Sequence, residues 1–150
     1  MAAMASRAQK PGRTVASFRV TGEIGSERDA ARQVVEALQL LALPAEQIER
    51  MRTSVSEAVL NAIEHGNDNR SHLPVHIVVE ASDVSVTISV YDHGLLRTVP
   101  ESPVEPDLAA KLAGEQRPRG WGMFLIRKLS DELEIRNEPA RHCLEMTFDL

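Results

Sequence analysis

From residue 14 the chain alternates apolar and polar side chains, with Val15, Phe18 and Val20 set among Ser17 and Arg19. That period of two predicts a first strand over residues 14–21. After Gly22 and Gly25 the period lengthens: Ala30, Val34, Val35, Leu38 and Leu41 fall on one helical face. Ser26 is the expected N-cap of this helix. Pro44 suits the first turn of a second helix, with Glu46 placed against its positive end. Ile48, Met51, Val55, Val59, Ala62 and Ile63 carry the apolar face on to about His65. Gly66 is a natural stop of the left-handed kind, and Asn67-Asp68-Asn69 marks a loop.

Two further strands follow, Val75, Ile77 and Val79 in one and Val84, Val86, Ile88 and Val90 in the other. Ala81-Ser82-Asp83 between them predicts an antiparallel hairpin. Residues 95–119 hold four of the eight prolines and form too long a connection to be a simple turn, although residues 106–113 suit a short helix. A third helix is expected from Gly122 to about Asp131, with Phe124, Leu125 and Leu129 on its apolar face. Residues 133–136 and 142–148 predict a closing strand pair. Helices on one face of a mostly antiparallel, mixed sheet make an α+β, two-layer α/β sandwich over residues 14–150. Residues 1–13 read as a disordered arm.

Composition narrows the function classes. A chain of 150 residues is one domain in size, and 3% aromatics leaves the core to Val, Ile, Leu and Ala. Net charge is −5 with the basic residues scattered, which argues against direct nucleic-acid binding. Cys143 is the one cysteine, in a predicted terminal strand where ordinary packing is the expected role. A single thiol and the lack of an apolar run long enough for a bilayer suit a cytoplasmic protein with no membrane attachment.

Three stretches carry candidate chemistry. In Ser56-Glu57-Ala58-Val59-Leu60-Asn61-Ala62-Ile63-Glu64-His65-Gly66, the residues Glu57, Asn61 and His65 lie on one side of the helix, bordering its apolar face. A carboxylate and a carboxamide there need partners. The Asn61 oxygen suits Mg²⁺, and Glu57 suits proton acceptance from an attacking hydroxyl; a solvated polar edge explains the same spacing. Asp92-His93-Gly94 ends a strand, where Asp92 offers an acceptor for the exocyclic amine of adenine and Gly94 lets the base approach; a strand-ending turn explains it equally. Arg119-Gly120-Trp121-Gly122-Met123-Phe124-Leu125-Ile126 opens a helix with two glycines, an anion-binding arrangement or a plain flexible loop. It is neither a Walker loop nor a dinucleotide fingerprint. His65, His72 and His76 offer an alternative metal site, but the helix motif is the preferred explanation of His65.

The order of these stretches resembles the GHKL (Bergerat-fold) ATPases over roughly residues 15–150. Ser-Glu-Ala-x-x-Asn-Ala-x-x-His-Gly and Arg-Gly-x-Gly-x-Phe-Leu-Ile are similar to the anti-sigma-factor serine/threonine kinases of bacterial partner-switching systems. The resemblance implies ATP and Mg²⁺, with Glu57 as catalytic base and Asn61 as metal ligand. It implies that Asp92 and Gly94 hold adenine, and that Gly120 and Gly122 border the phosphates after an ATP lid. His65, Arg119 and Met123 are implied as further nucleotide contacts. The family's second glycine or phenylalanine after Asp-x-Gly is replaced by Leu95-Leu96. By the same resemblance the chain is expected to be a homodimeric protein kinase that phosphorylates a small antagonist and binds a sigma factor. The competing reading is a catalytically weak ATP-binding interaction module.

Overall fold

The computed structural model describes residues 12–94 and 121–150. Strand β1 (Arg13–Val20) begins one residue before its expected start and leads through Gly22 and Gly25 into helix α1 (Ser26–Gln39). The cap of α1 differs from the expected one. Gly25 occupies the N-cap at φ 109°, and its N–H donates to the Glu27 carboxylate at 2.6 Å, so Ser26 is already helical. Glycine is the residue that takes such a φ without a Cβ clash.

Helix α2 (Ala45–Asn61) starts after Pro44, whose φ of −57° is already close to helical, and places Glu46 in its first turn. Its apolar stripe of Met51, Val55, Ala58 and Val59 is buried. The helix then widens into one π-helical turn, Ala62–Gly66. Such turns concentrate at functional sites. The chain stops at Gly66 as expected, but not by the expected device: Gly66 has no positive φ, and the left-handed residues are Asp68 and Asn69.

Strands β2 (Val75–Ala81) and β3 (Ser85–Asp92) form the predicted hairpin, with the Ser82 hydroxyl accepting from the Ser85 N–H at 3.2 Å inside the turn. Helix α3 (Trp121–Leu129) precedes strands β4 (Glu132–Glu138) and β5 (Arg141–Asp149). Met123 and Ile126 are its fully buried positions, while Phe124, Leu125 and Leu129 are half-buried, so its core face is rotated from the expected one.

The sheet order is β1-β2-β3-β5-β4, and all of its described pairings are antiparallel, so no mixed component is present among the described residues. The three helices cover one face, with α2 in the middle touching both α1 and α3. The fold is α+β in two layers. Val, Ile, Leu, Ala and Met fill the core, and Phe148 is its largest side chain. Each fully buried aliphatic contributes about 1.5–3 kcal/mol, which sets the register of every strand. The other sheet face is polar. There His76 stacks on Tyr91 and accepts from or donates to Ser17 Oγ at 2.9 Å, while the Arg141 guanidinium lies 4.0 Å over the Tyr91 ring.

Candidate functional site

The π-helical turn brings the end of α2 against the end of β3, and a cleft opens between helix and sheet. Ala58, Asn61, Ala62, His65 and Gly66 line its helix side; Val90, Asp92, Ile135, His142, Cys143 and Leu144 line its sheet side. Residues 31 positions apart, Asn61 and Asp92, thus face one space that is largely apolar with a few convergent polar groups, the usual character of a small-molecule site.

Close packing at one point makes this possible. A Cβ on Gly66 would overlap the Asp92 carboxylate. Glycine is therefore required at position 66 by the approach of the Asp92 side chain to the helix backbone, not by a left-handed turn. Asn67, fully buried, fixes the same junction. Its Nδ2 donates to the carbonyls of Leu73 at 3.1 Å and Pro74 at 3.3 Å, and its Oδ1 accepts from the His93 N–H at 2.8 Å. One side chain so ties the exit of α2 to the start of β2 and the end of β3. A buried carboxamide with both ends paired is a strong positional constraint. This role was not foreseen from the loop signal of Asn67-Asp68-Asn69.

Asp92 is held at the cleft by the Gly94 N–H, which donates to Oδ1 at 2.7 Å, with Gly94 at φ 65°. Burial pushes the Asp92 carboxyl above its ordinary range, opposed by the Gly94 N–H and by His142. A group that binds its proton more tightly when folded lends stability below the ordinary aspartate range and loses it as pH rises through the raised value. Asp92→Asn is accordingly expected to raise the melting temperature of the nucleotide-free protein at neutral pH. The gain should shrink as pH is lowered toward about 4, in thermal unfolding followed across pH. A stabilisation that does not vary with pH would contradict the burial argument.

Glu57 is buried in α2, one turn before Asn61, although it does not line the cleft itself. The Asn61 Nδ2 is buried without a hydrogen-bond partner. His65 is half-buried at the rim, its Nε2 4.0 Å from Glu64. Gly122 is the second residue of α3, which starts one residue before its expected Gly122, whereas Met123 is fully buried in the core and does not line the cleft. Arg119, Gly120 and the expected lid lie outside the described residues. His72 is exposed and His76 sits on the polar sheet face, and no metal-binding group of three or more His, Cys, Asp or Glu occurs among the described residues. Cys143 is packed as expected, buried with its thiol pushed up by desolvation, and on the polar sheet face Arg136 Nη2 donates to its Sγ at 3.3 Å.

His142 was missed. It is 3% exposed, it is the register partner of Asp92, and its Nδ1 lies 3.3 Å from Asp92 Oδ1. A signal existed: His142 is in phase with Leu144, Met146 and Phe148 on the core face of β5.

Comparison with known proteins shows the family and the fold. The family described as histidine kinase-like ATPase domain matches residues 23–148. Anti-sigma F factor of Thermoanaerobacter sp. (strain X514) is 33% identical over 115 residues, covering 76% of this chain and 78% of that protein. Anti-sigma F factor of Clostridium beijerinckii is 32% identical over 117 residues, covering 77% and 80%. The serine-protein kinase RsbW of Oceanobacillus iheyensis is 34% identical over 102 residues, covering 62% and 60%. Among solved structures, the SiaB–SiaC complex of Pseudomonas aeruginosa superposes with a TM-score of 0.65 at 16% identity over 98% of this chain and 95% of that one. That likeness speaks to fold alone.

Proposed function

The chain belongs to the histidine kinase-like ATPase domain family, and on that premise we propose that it is an ATP-dependent serine/threonine protein kinase that also acts as an anti-sigma factor. The observation that carries the proposal is the convergence of Asn61, His65 and Asp92 on one cleft, with the buried Glu57 one helical turn behind Asn61. The names of the relatives supply the biological direction, anti-sigma F factor and serine-protein kinase.

In this reading the adenine sits against Asp92 and Gly94 and the triphosphate runs toward the start of α3. Gly122, with Gly120 and Arg119 before it, would meet the phosphates there. His65 borders the nucleotide from α2. Met123 supports α3 from the core. Asn61, whose carboxamide has a free buried end, would hold Mg²⁺, and the ion when bound supplies neutralisation of phosphate charge. Glu57 accepts the proton of the substrate hydroxyl as that oxygen bonds to the γ-phosphorus and the β–γ bridge breaks to release ADP. Positioning contributes most of the rate in such transfers.

The protein substrate is a small antagonist and the competing partner a sigma factor, met by a homodimer in the cytoplasm. No helix among the described residues is long and apolar enough to cross a membrane. Incubation with γ-labelled ATP, Mg²⁺ and candidate antagonists encoded nearby should place label on a serine or threonine of one antagonist. ATP binding without transfer to any of them would instead favour an interaction module that uses nucleotide only for its shape.

A further inference from the structure

His142 is buried at the register position facing Asp92. Its imidazole is buried in the cleft wall, yet neither Nδ1 nor Nε2 has a hydrogen-bond partner. Nδ1 lies 3.3 Å from Asp92 Oδ1, but the pair is not aligned for a hydrogen bond. A buried ring with two orphaned nitrogens is costly, because buried polar groups are almost always paired. The other polar side chains lining the cleft are Asn61 and His65 on the helix side. His142 lines the cleft, where a bound ligand can supply the ring with a partner.

Asp92 and His142 face each other across β3 and β5, so the sheet itself fixes their spacing. An ionised carboxylate only accepts, while a neutral imidazole donates from one nitrogen. Side by side, they offer an acceptor and a donor, the same pair that a carboxamide presents when it reads adenine. Adenine carries an exocyclic amine beside the ring nitrogen N1, a donor next to an acceptor. Guanine carries the reverse on that edge, O6 beside N1–H.

We propose that His142 is a specificity-determining residue of the nucleotide site, donating an imidazole N–H to N1 of the base while Asp92 accepts from its exocyclic amine. The inference rests on the ATP-binding reading above and adds to it the residue that selects adenine. Guanine meets donor with donor and acceptor with acceptor. Loss of a hydrogen bond to one buried group leaves its partner unsatisfied, which amounts to about tenfold in affinity or more.

The test uses ATP and 1-deaza-ATP, in which N1 is replaced by C–H and nothing else changes, titrated into the full-length protein. Wild type is expected to bind ATP about tenfold more tightly than 1-deaza-ATP. His142→Leu should bind the two alike, and His142→Gln, which keeps an N–H donor, should restore part of the preference. A side chain that only steadies Asp92 would lower both affinities together and leave their ratio intact. Equal binding of the two nucleotides by wild type overturns the assignment while leaving ATP binding in place. So does an undiminished preference in His142→Leu. Failure of wild type to bind either nucleotide would remove the ATP reading itself, and the assignment with it. Should His142→Leu not fold, the wild-type ratio and the glutamine variant decide.

Discussion

Glu57→Gln is expected to lower phosphate transfer to the antagonist by about 10²–10⁴-fold, the usual worth of a positioned general base. Binding of ATP should change by less than about threefold, because the amide fills the same volume and the packing of α2 is kept. The prediction follows from placement. Glu57 is buried on the helix that presents Asn61 to the cleft, and the two are four positions apart, so they lie one above the other. A side chain with a purely structural role there would lower stability and transfer together. Quantitative transfer assays beside calorimetric affinities separate the two cases. Undiminished transfer by the glutamine variant would remove Glu57 from the chemistry.

Gly66→Ala should be the most damaging small substitution in the site. Alanine is favoured over glycine in helices by about 1 kcal/mol, and Gly66 has no positive φ. Helix propensity alone therefore predicts a neutral or stabilised protein. The added methyl, however, would overlap the Asp92 carboxylate. Overpacking of this kind costs about 1–3 kcal/mol or more, and here it must displace either the end of α2 or Asp92 itself. We expect a lower denaturation midpoint together with at least a tenfold loss of ATP affinity. A variant as stable as wild type with full affinity would show that the junction can relax, and that Asp92 does not depend on it.

Most elements could be read from periodicity because each has one apolar face. Val75, Ile77 and Val79 alternate, and Val55, Val59 and Ile63 recur every four residues, so strand and helix separate cleanly. Glu57, Asn61, His65 and Asp92 stood out because polar residues at the edge of an apolar face demand an explanation. His142 escaped because a histidine within a strand registers as a polar interruption, and the register that pairs it with Asp92 is a property of the sheet. Gly66 was assigned to the right boundary for the wrong reason, since the approach of the Asp92 side chain to the helix backbone leaves no trace in a helix pattern. The cap of α1 was misplaced by one residue because Ser26 and Gly25 both suit such a position, and the Glu27 carboxylate decided between them. In α3 the pattern Met123, Phe124, Leu125, Ile126 is apolar in every direction, and only packing against α2 selects Met123 and Ile126.

The central claim is that one cleft between α2 and the sheet receives a magnesium-associated adenine nucleotide. Titration calorimetry with ATP, run with and without Mg²⁺ on wild type and on Asn61→Ala, tests it most directly. We predict saturable one-to-one binding to wild type that Mg²⁺ strengthens, with that strengthening lost in the alanine variant. No heat of association with wild type, or an identical Mg²⁺ dependence in both proteins, would contradict the account.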